Sequence, residues 1–142
     1  MNDTIEYTRP NGMPVPIGTR IGGTAISNWL ASDIQYSSKT LNEWLAVLSE
    51  VSNASPRGGY LGTGNAFSVY ANGGFVLIES EYSESLKACL TIKQLTTVLL
   101  QYKSHLQSEF RDPAFVPLPF EVEYVAEGDS AKEHFLTNGG LL

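Results

Sequence analysis

The chain has 142 residues, 42% of them hydrophobic and 17% charged, a globular composition with enough length to bury a core without disulfides or metals. Fifteen acids against nine bases leave a formal charge of −6, which argues against nucleic acid as the main partner, because phosphate binding needs a basic footprint. The single cysteine, Cys89, excludes an internal disulfide framework and any multi-cysteine zinc site.

The N-terminus, Met1-Asn2-Asp3-Thr4-Ile5-Glu6, has no basic region followed by an apolar stretch. The longest aliphatic run, Val98-Leu99-Leu100, falls far short of the roughly 20 residues of a membrane span. The expectation is a cytoplasmic protein without membrane contact, and a lone thiol suits a reducing compartment. No repeat or composition break divides it, so 1–142 reads as a single domain.

In chain order, residues 4–8 predict a short first strand, and the proline- and glycine-rich stretch 9–23 predicts an extended connection. Residues 29–36 suit either a strand, through Leu30, Ile34 and Tyr36, or a helical turn around Trp29. Thr40 and Glu43 have capping-box spacing, and Leu41, Trp44, Leu45, Leu48 and Val51 then form one helical stripe that ends at 53–56. Asn72-Gly73, between 66–71 and 74–81, predicts a two-residue type I′ hairpin pairing Ala71 with Gly74, Val69 with Val76 and Phe67 with Ile78. One hairpin face is then wholly apolar, and the other carries Ser68, Tyr70, Phe75, Leu77 and Glu79.

Thr91 and Gln94 repeat the capping-box spacing, and Ile92, Leu95, Val98, Leu99, Tyr102, Leu106 and Phe110 give the strongest helical period, closed by Asp112-Pro113. Phe120, Val122 and Tyr124 alternate with Glu121 and Glu123 as another strand, and Asp129 begins a short helix over 130–136. The fold class is α+β: one antiparallel sheet with a central Asn-Gly hairpin and two main helices packed on one face.

No reaction can be read from these residues. In Gly58-Gly59-Tyr60-Leu61-Gly62-Thr63-Gly64-Asn65-Ala66, asparagine stands where a phosphate loop needs lysine and alanine where it needs a hydroxyl, so the segment reads as a flexible connection into the hairpin or a partner-contacting loop. The two histidines, His105 and His134, have no metal-ligand spacing, and His105 falls outside the helical stripe, on an exposed face. Catalytic, metal and cofactor residues are therefore expected to be none. Glu79 and Glu81 share one strand face, as do Glu121 and Glu123; if the strands are neighbours, the four form one acidic patch. Four glutamates on alternating positions read as a solvated sheet face, as an acidic face for a basic partner, or as paired carboxylates for acid–base work. Opposed like charges cost roughly 0.2–1 kcal/mol per pair, which gives the partner-binding reading its physical motive. Asp33, Glu109, Asp112, Glu127 and Asp129 can extend it, and Tyr36, Tyr60, Tyr70, Tyr82 and Phe75 add a tyrosine-rich composition suited to a protein interface.

The stretch from Gly64-Asn65-Ala66-Phe67-Ser68-Val69-Tyr70 through Phe75-Val76-Leu77-Ile78-Glu79, then Leu90-Thr91-Ile92-Lys93-Gln94-Leu95 and Tyr102-Lys103-Ser104-His105-Leu106, resembles small immunity proteins of bacterial contact-dependent inhibition and related polymorphic toxin systems. The resemblance implies a non-enzymatic cytoplasmic protein that neutralises a toxin domain, often a nuclease. Such a toxin is basic around its substrate groove, so the expected contact residues are Glu79, Glu81, Glu121, Glu123 and Tyr70. The competing readings are a small enzyme with an apolar pocket using Cys89 or a glutamate, and a structural or assembly subunit. The oligomeric state and the identity of the toxin are not written in the sequence.

Overall fold

The first strand is longer than the sequence suggests: β1 runs Asn2–Thr8, with Asp3 and Ile5 turned inward. The computed structural model describes residues 1–52, 59–108, 111–115 and 117–138. The stretch 9–23 is more than a connection. Gly12, at φ +83°, takes a turn, and Val15–Ile17 returns as β2 antiparallel to β1, with Ile17 opposite Glu6. Helix α1 then occupies Ile21–Trp29. Its first turn holds Gly22-Gly23, poor helix formers that hide it from a propensity reading. Packing explains them. A Cβ on Gly22 would lie 2.3 Å from the Tyr124 ring, and one on Gly23 would lie 1.8 Å from an Asp3 carboxylate oxygen.

The ambiguity over 29–36 resolves as helix. After Trp29 the chain widens into a π-turn, Leu30–Ile34, closed by the Gln35 N–H donating to the Leu30 carbonyl at 2.7 Å. Gln35 sits at φ +59° and ψ −130°, a region that favours glycine. Its carbonyl accepts the Tyr102 hydroxyl at 2.6 Å, which ties the strained corner to the core. Gln35→Gly should therefore stabilise the protein by about 0.5–1 kcal/mol, strain relief exceeding the added unfolded-state entropy. Urea unfolding checks this, and a lower midpoint would refute it.

Helix α2, Ser38–Ser52, is capped by Ser37, whose Oγ accepts the Thr40 N–H at 3.1 Å, so the predicted Thr40 cap lies three residues too late. The predicted stripe does face inward: Leu41 and Leu48 are buried, with Trp44, Leu45 and Val51 packed beside them. The predicted stop at 53–56 lies outside the described residues. The glycine-rich segment is not a loop, because Gly59–Thr63 forms β3, antiparallel to β4, Phe67–Asn72.

The hairpin of β4 and β5, Phe75–Ser80, turns one residue later than predicted. Gly73 and Gly74, at φ +60° and +88°, are the turn, and Asn72 pairs with Phe75. Two glycines accept left-handed backbone at lower cost than asparagine and glycine. Each partner moves by two positions, so every side chain keeps its predicted face. Phe67, Val69, Ala71, Val76 and Ile78 are buried on the inner side.

Strand β6, Lys87–Thr91, continues the sheet and passes into α3, Ile92–Leu106. Both capping-box bonds are made: Gln94 N–H to Thr91 Oγ1 and Thr91 N–H to Gln94 Oε1, each at 3.0 Å. The helix ends at Leu106, short of Asp112-Pro113, and Phe110 lies outside the described residues.

Instead of one sheet there are two, ordered β2-β1-β7 and β3-β4-β5-β6-β8. The run 120–127 causes the split. Its first half, β7 (Phe120–Glu123), pairs with β1, and its second half, β8 (Ala126–Glu127), pairs with β6. Tyr124 N–H donates to the Met1 carbonyl at 3.0 Å and Val125 N–H to the Cys89 carbonyl at 2.7 Å, so the chain changes partners between adjacent residues.

Nor are the helices confined to one face. Helices α1 and α3 pack on the inner face of β5 and β6, and α2 packs against α3. Helix α4, Asp129–Thr137, starts at the predicted place and covers the outer face of the same strands. The larger core lies inside, around Trp29, Leu30, Leu41, Leu95 and Tyr102, and a smaller one of Leu77, Cys89, Ala126, Ala131 and Phe135 lies under α4.

Candidate functional site: an open tyrosine–carboxylate face

Strand alternation sends Ser68 and Tyr70 of β4, and Leu77 and Glu79 of β5, to the outer face. Register aligns them in rows across the sheet: Tyr60–Tyr70–Leu77–Cys89 and Thr63–Ser68–Glu79–Lys87. Helix α4 lays Ala131 and Phe135 over the Leu77–Cys89 end of the first row. Toward β3 the cover stops, and Tyr60 is 58% exposed.

Tyr60 and Tyr70 meet edge to face, with ring centroids 5.7 Å apart, a geometry that suits aromatic quadrupoles. The Tyr60 hydroxyl donates to Thr63 Oγ1 at 2.6 Å, Thr63 and Ser68 share a hydrogen bond at 2.7 Å, and the Ser68 hydroxyl donates to Glu81. The Glu81 N–H donates to the Ala66 carbonyl at 2.8 Å, which extends the strand edge past Ser80. This hydroxyl chain orients one exposed carboxylate beside two tyrosine rings. Burial raises the Tyr70 pKa, Glu79 and Glu81 raise it further, and a hydrogen bond with Ser68 only partly offsets them. The phenol thus stays protonated near neutral pH.

Lys87 stands opposite Glu79 in register. Its ammonium is buried, donates to the Glu84 carbonyl and lies 3.6 Å from Asp129. The Lys87 charge is thus directed to Asp129 and the Glu84 carbonyl, and Glu81 is the carboxylate that the hydroxyl chain orients. Beside it, Tyr82 is 82% exposed and borders a groove of about 420 Å³ lined by Asn28, Ala31, Ala66, Phe67, Tyr82 and Leu86.

The structure thus gathers Tyr70, Glu79 and Glu81 but not Glu121 and Glu123, which belong to β7 in the other sheet. The single four-acid patch is not formed. Of the acids expected to extend it, Asp33 and Glu127 have structural roles. Asp33 accepts the Ala66 and Phe67 N–H groups at 2.9 and 3.0 Å and pins the start of β4. Glu127 accepts the Gly22 N–H at 2.9 Å and the Tyr124 hydroxyl at 2.7 Å. Glu109 lies outside the described residues. Thr63 was missed because the glycines around it read as a connection, whereas Tyr60 enters the sequence reading for its interface chemistry and Ser68 for the mixed hairpin face, neither of them among the expected contact residues.

Cys89 does not stand at a helix N-terminus. It is fully buried on β6 beneath α4, and burial pushes its thiol up to about 12, the opposite of an activated nucleophile. His105 is not on an exposed face. It is half-buried, and the Tyr7 hydroxyl meets its Nδ1 at 2.5 Å, with the Phe120 ring 5.4 Å away. Burial lowers the His105 pKa, which favours the neutral imidazole. Among the described residues no group of three or more His, Cys, Asp or Glu is placed to hold a metal ion, and no helix is long and apolar enough to cross a membrane. No family model matches the chain, and no curated protein or solved structure matches it.

Proposed function

We propose that this protein is an immunity protein that binds and neutralises a basic toxin domain of the nuclease type, with the tyrosine–carboxylate face as its contact surface. The observation that carries the reading is the convergence of Tyr60, Tyr70, Glu79 and Glu81 on the half of the sheet that α4 leaves uncovered. Rigid tyrosines beside oriented carboxylates suit a cationic protein surface: the rings supply contact area at low entropy cost and the charges steer encounter. Arginine or lysine of the toxin can stack on the exposed Tyr60 ring while pairing with Glu81. A net charge of −6 adds long-range attraction. A stable complex of this kind buries about 1,200–2,000 Å² in total, so Tyr82 and its groove fall within reach of the same footprint.

The test is association with a basic nuclease-type toxin encoded beside this chain, measured by stopped flow at several salt concentrations. Glu79→Lys with Glu81→Lys should slow association by about tenfold or more at low salt and flatten its salt dependence. Tyr60→Ala should raise the dissociation rate instead, since it removes contact area and little charge. Unchanged low-salt kinetics in the charge-reversed protein would remove this face from the interface.

A further inference from the structure

Among the described residues no strand pairs with the outer edge of β7, and register shows which groups that edge presents. Met1 and Tyr124 exchange two hydrogen bonds, Tyr124 N–H to the Met1 carbonyl at 3.0 Å and the Met1 ammonium to the Tyr124 carbonyl at 2.9 Å. Antiparallel ladders alternate, so Asp3–Val122 and Ile5–Phe120 are the next pairs bonded to each other. Glu121 and Glu123 are of the other kind, and their backbone N–H and C=O point away from β1. Val125 has the same parity, and its N–H goes to the Cys89 carbonyl of β6. That side of the run therefore belongs to a strand in line with β6.

β6 does not supply it. Its register sets Ala88 opposite Glu127 and Cys89 opposite Ala126. Continued, it would bring residues 92–94 opposite Glu123, Val122 and Glu121. The chain turns instead into α3 at Ile92, under the Thr91 cap. Where the missing strand would run there is a groove of about 470 Å³, lined among others by Lys93, Thr97, Val98, Gln101, Glu121 and Glu123. The side-chain carbonyl oxygen of Gln101, which helps line it, is buried and has no hydrogen-bond partner among the described residues. An orphaned acceptor beside two open backbone donor–acceptor pairs is the signature of a site for another extended chain.

We propose that this groove accepts a short extended segment of a basic protein partner, which adds to β7 as an antiparallel strand and sets lysine or arginine beside Glu121 and Glu123. Charge decides the partner's chemistry. The exposed side chains of β7 are both carboxylates, one of them held by the Thr4 hydroxyl at 2.5 Å, and cross-strand neighbours of opposite charge stabilise a pair. Lys93 is the cation lining the groove, on the α3 side, so the basic positions belong along the β7 side. The alternate positions face Val98 and Val122 and should be apolar. The partner segment thus reads basic–apolar–basic over about four residues, the length of β7. This site lies on a different sheet from the tyrosine face and does not depend on the toxin reading.

The probe is the capped peptide Lys-Val-Arg-Val-Lys, titrated to millimolar concentration against the full-length protein with amide exchange followed by NMR. The Glu121 and Glu123 amides should slow by about tenfold or more, while Val122, already bonded to β1, stays unchanged. The Gln101 side-chain amide should shift with them. Glu121→Gln with Glu123→Gln should weaken the peptide about tenfold at low salt, whereas Glu79→Gln with Glu81→Gln should leave it unaltered. A peptide methylated at alternate backbone nitrogens should not bind. Equal binding of the methylated peptide, or binding without protection at Glu121 and Glu123, overturns the proposal. Protection that rises with protein concentration in the absence of peptide also overturns it, in favour of a second copy of this chain.

Discussion

Asp3→Ala should destabilise the protein by about 3–5 kcal/mol, among the largest effects of any single polar substitution in this chain. Asp3 is buried in β1, and its carboxylate accepts four hydrogen bonds: Thr4 N–H at 2.8 Å, Thr19 N–H at 2.8 Å, the Thr19 hydroxyl at 2.7 Å and Arg20 N–H at 2.8 Å. Two of those N–H groups belong to the residues that lead into α1, whose own Ncap, Arg20, offers no side-chain bond. A strand residue thus caps the helix, and Glu127 takes a further first-turn donor, the Gly22 N–H. Alanine leaves these donors facing Gly23 and a cavity. Chemical denaturation measures the loss; a change below about 1 kcal/mol would mean that water replaces the carboxylate without penalty.

The same carboxylates set the acid limb. Burial alone raises the Asp3 pKa, but the bonds donated by Arg20, Thr19 and Thr4 outweigh it and hold the group below its ordinary value. Burial likewise raises Glu127, and Gly22, Tyr124 and Arg20 together bring it below the ordinary range. A depressed folded-state pKa contributes stability that is complete above the unfolded value, about 4, and lost as pH falls through the folded one. Stability should therefore decline below about pH 4, and the decline should be shallower in Asp3→Ala. Parallel acid limbs for the two proteins would remove Asp3 from that titration.

Phe135→Ala is the second large effect. Phe135 and Ala131 are the buried residues of α4, and Phe135 sits over Leu77 and Cys89. Truncating a buried phenylalanine costs about 3–5 kcal/mol, more than a nine-residue helix with one anchor can be expected to withstand. The loss should appear as undocking of α4 while the inner core, on the other face of the sheet, stays folded. Cys89 reports it directly. Its thiol is held up to about 12 by burial, and exposure returns it toward about 8.5, so maleimide labelling should accelerate by at least about a hundredfold. Labelling at the parent rate, with the helical signal intact, would show that α4 holds on without its phenylalanine.

Local chemistry was legible where one segment decides its own structure. The Thr91–Gln94 capping box, the Leu95–Leu99–Tyr102–Leu106 stripe and the apolar face of the hairpin are all local patterns, and the structure carries them as read. The hairpin shift to Gly73-Gly74 changed partners without changing faces, because side chains repeat every two residues. What failed was non-local. Gly22 and Gly23 mark a helix only because Tyr124 and Asp3 press against them from distant strands. Ser37 rather than Thr40 caps α2 because the π-turn delivers the chain there. The partner change at Tyr124 and Val125, which separates Glu121 and Glu123 from Glu79 and Glu81, depends on two different strands and leaves no mark on the alternation of residues 120–124. Of the candidate site, Tyr70, Glu79 and Glu81 were visible as strand alternation, whereas Tyr60 and Thr63 depended on recognising β3.

The switch of partners within 120–127 also bears on how this chain folds. Asn2 lies opposite Glu123, so the three-stranded sheet closes only by joining the first and last parts of the described chain. Contacts of such sequence separation carry a high loop-closure cost and form late. During synthesis the β3–β6 hairpins can zip soon after they leave the ribosome, but the β7 side of β1 must wait until residues 120–123 emerge. Until then its edge is available to other nascent chains.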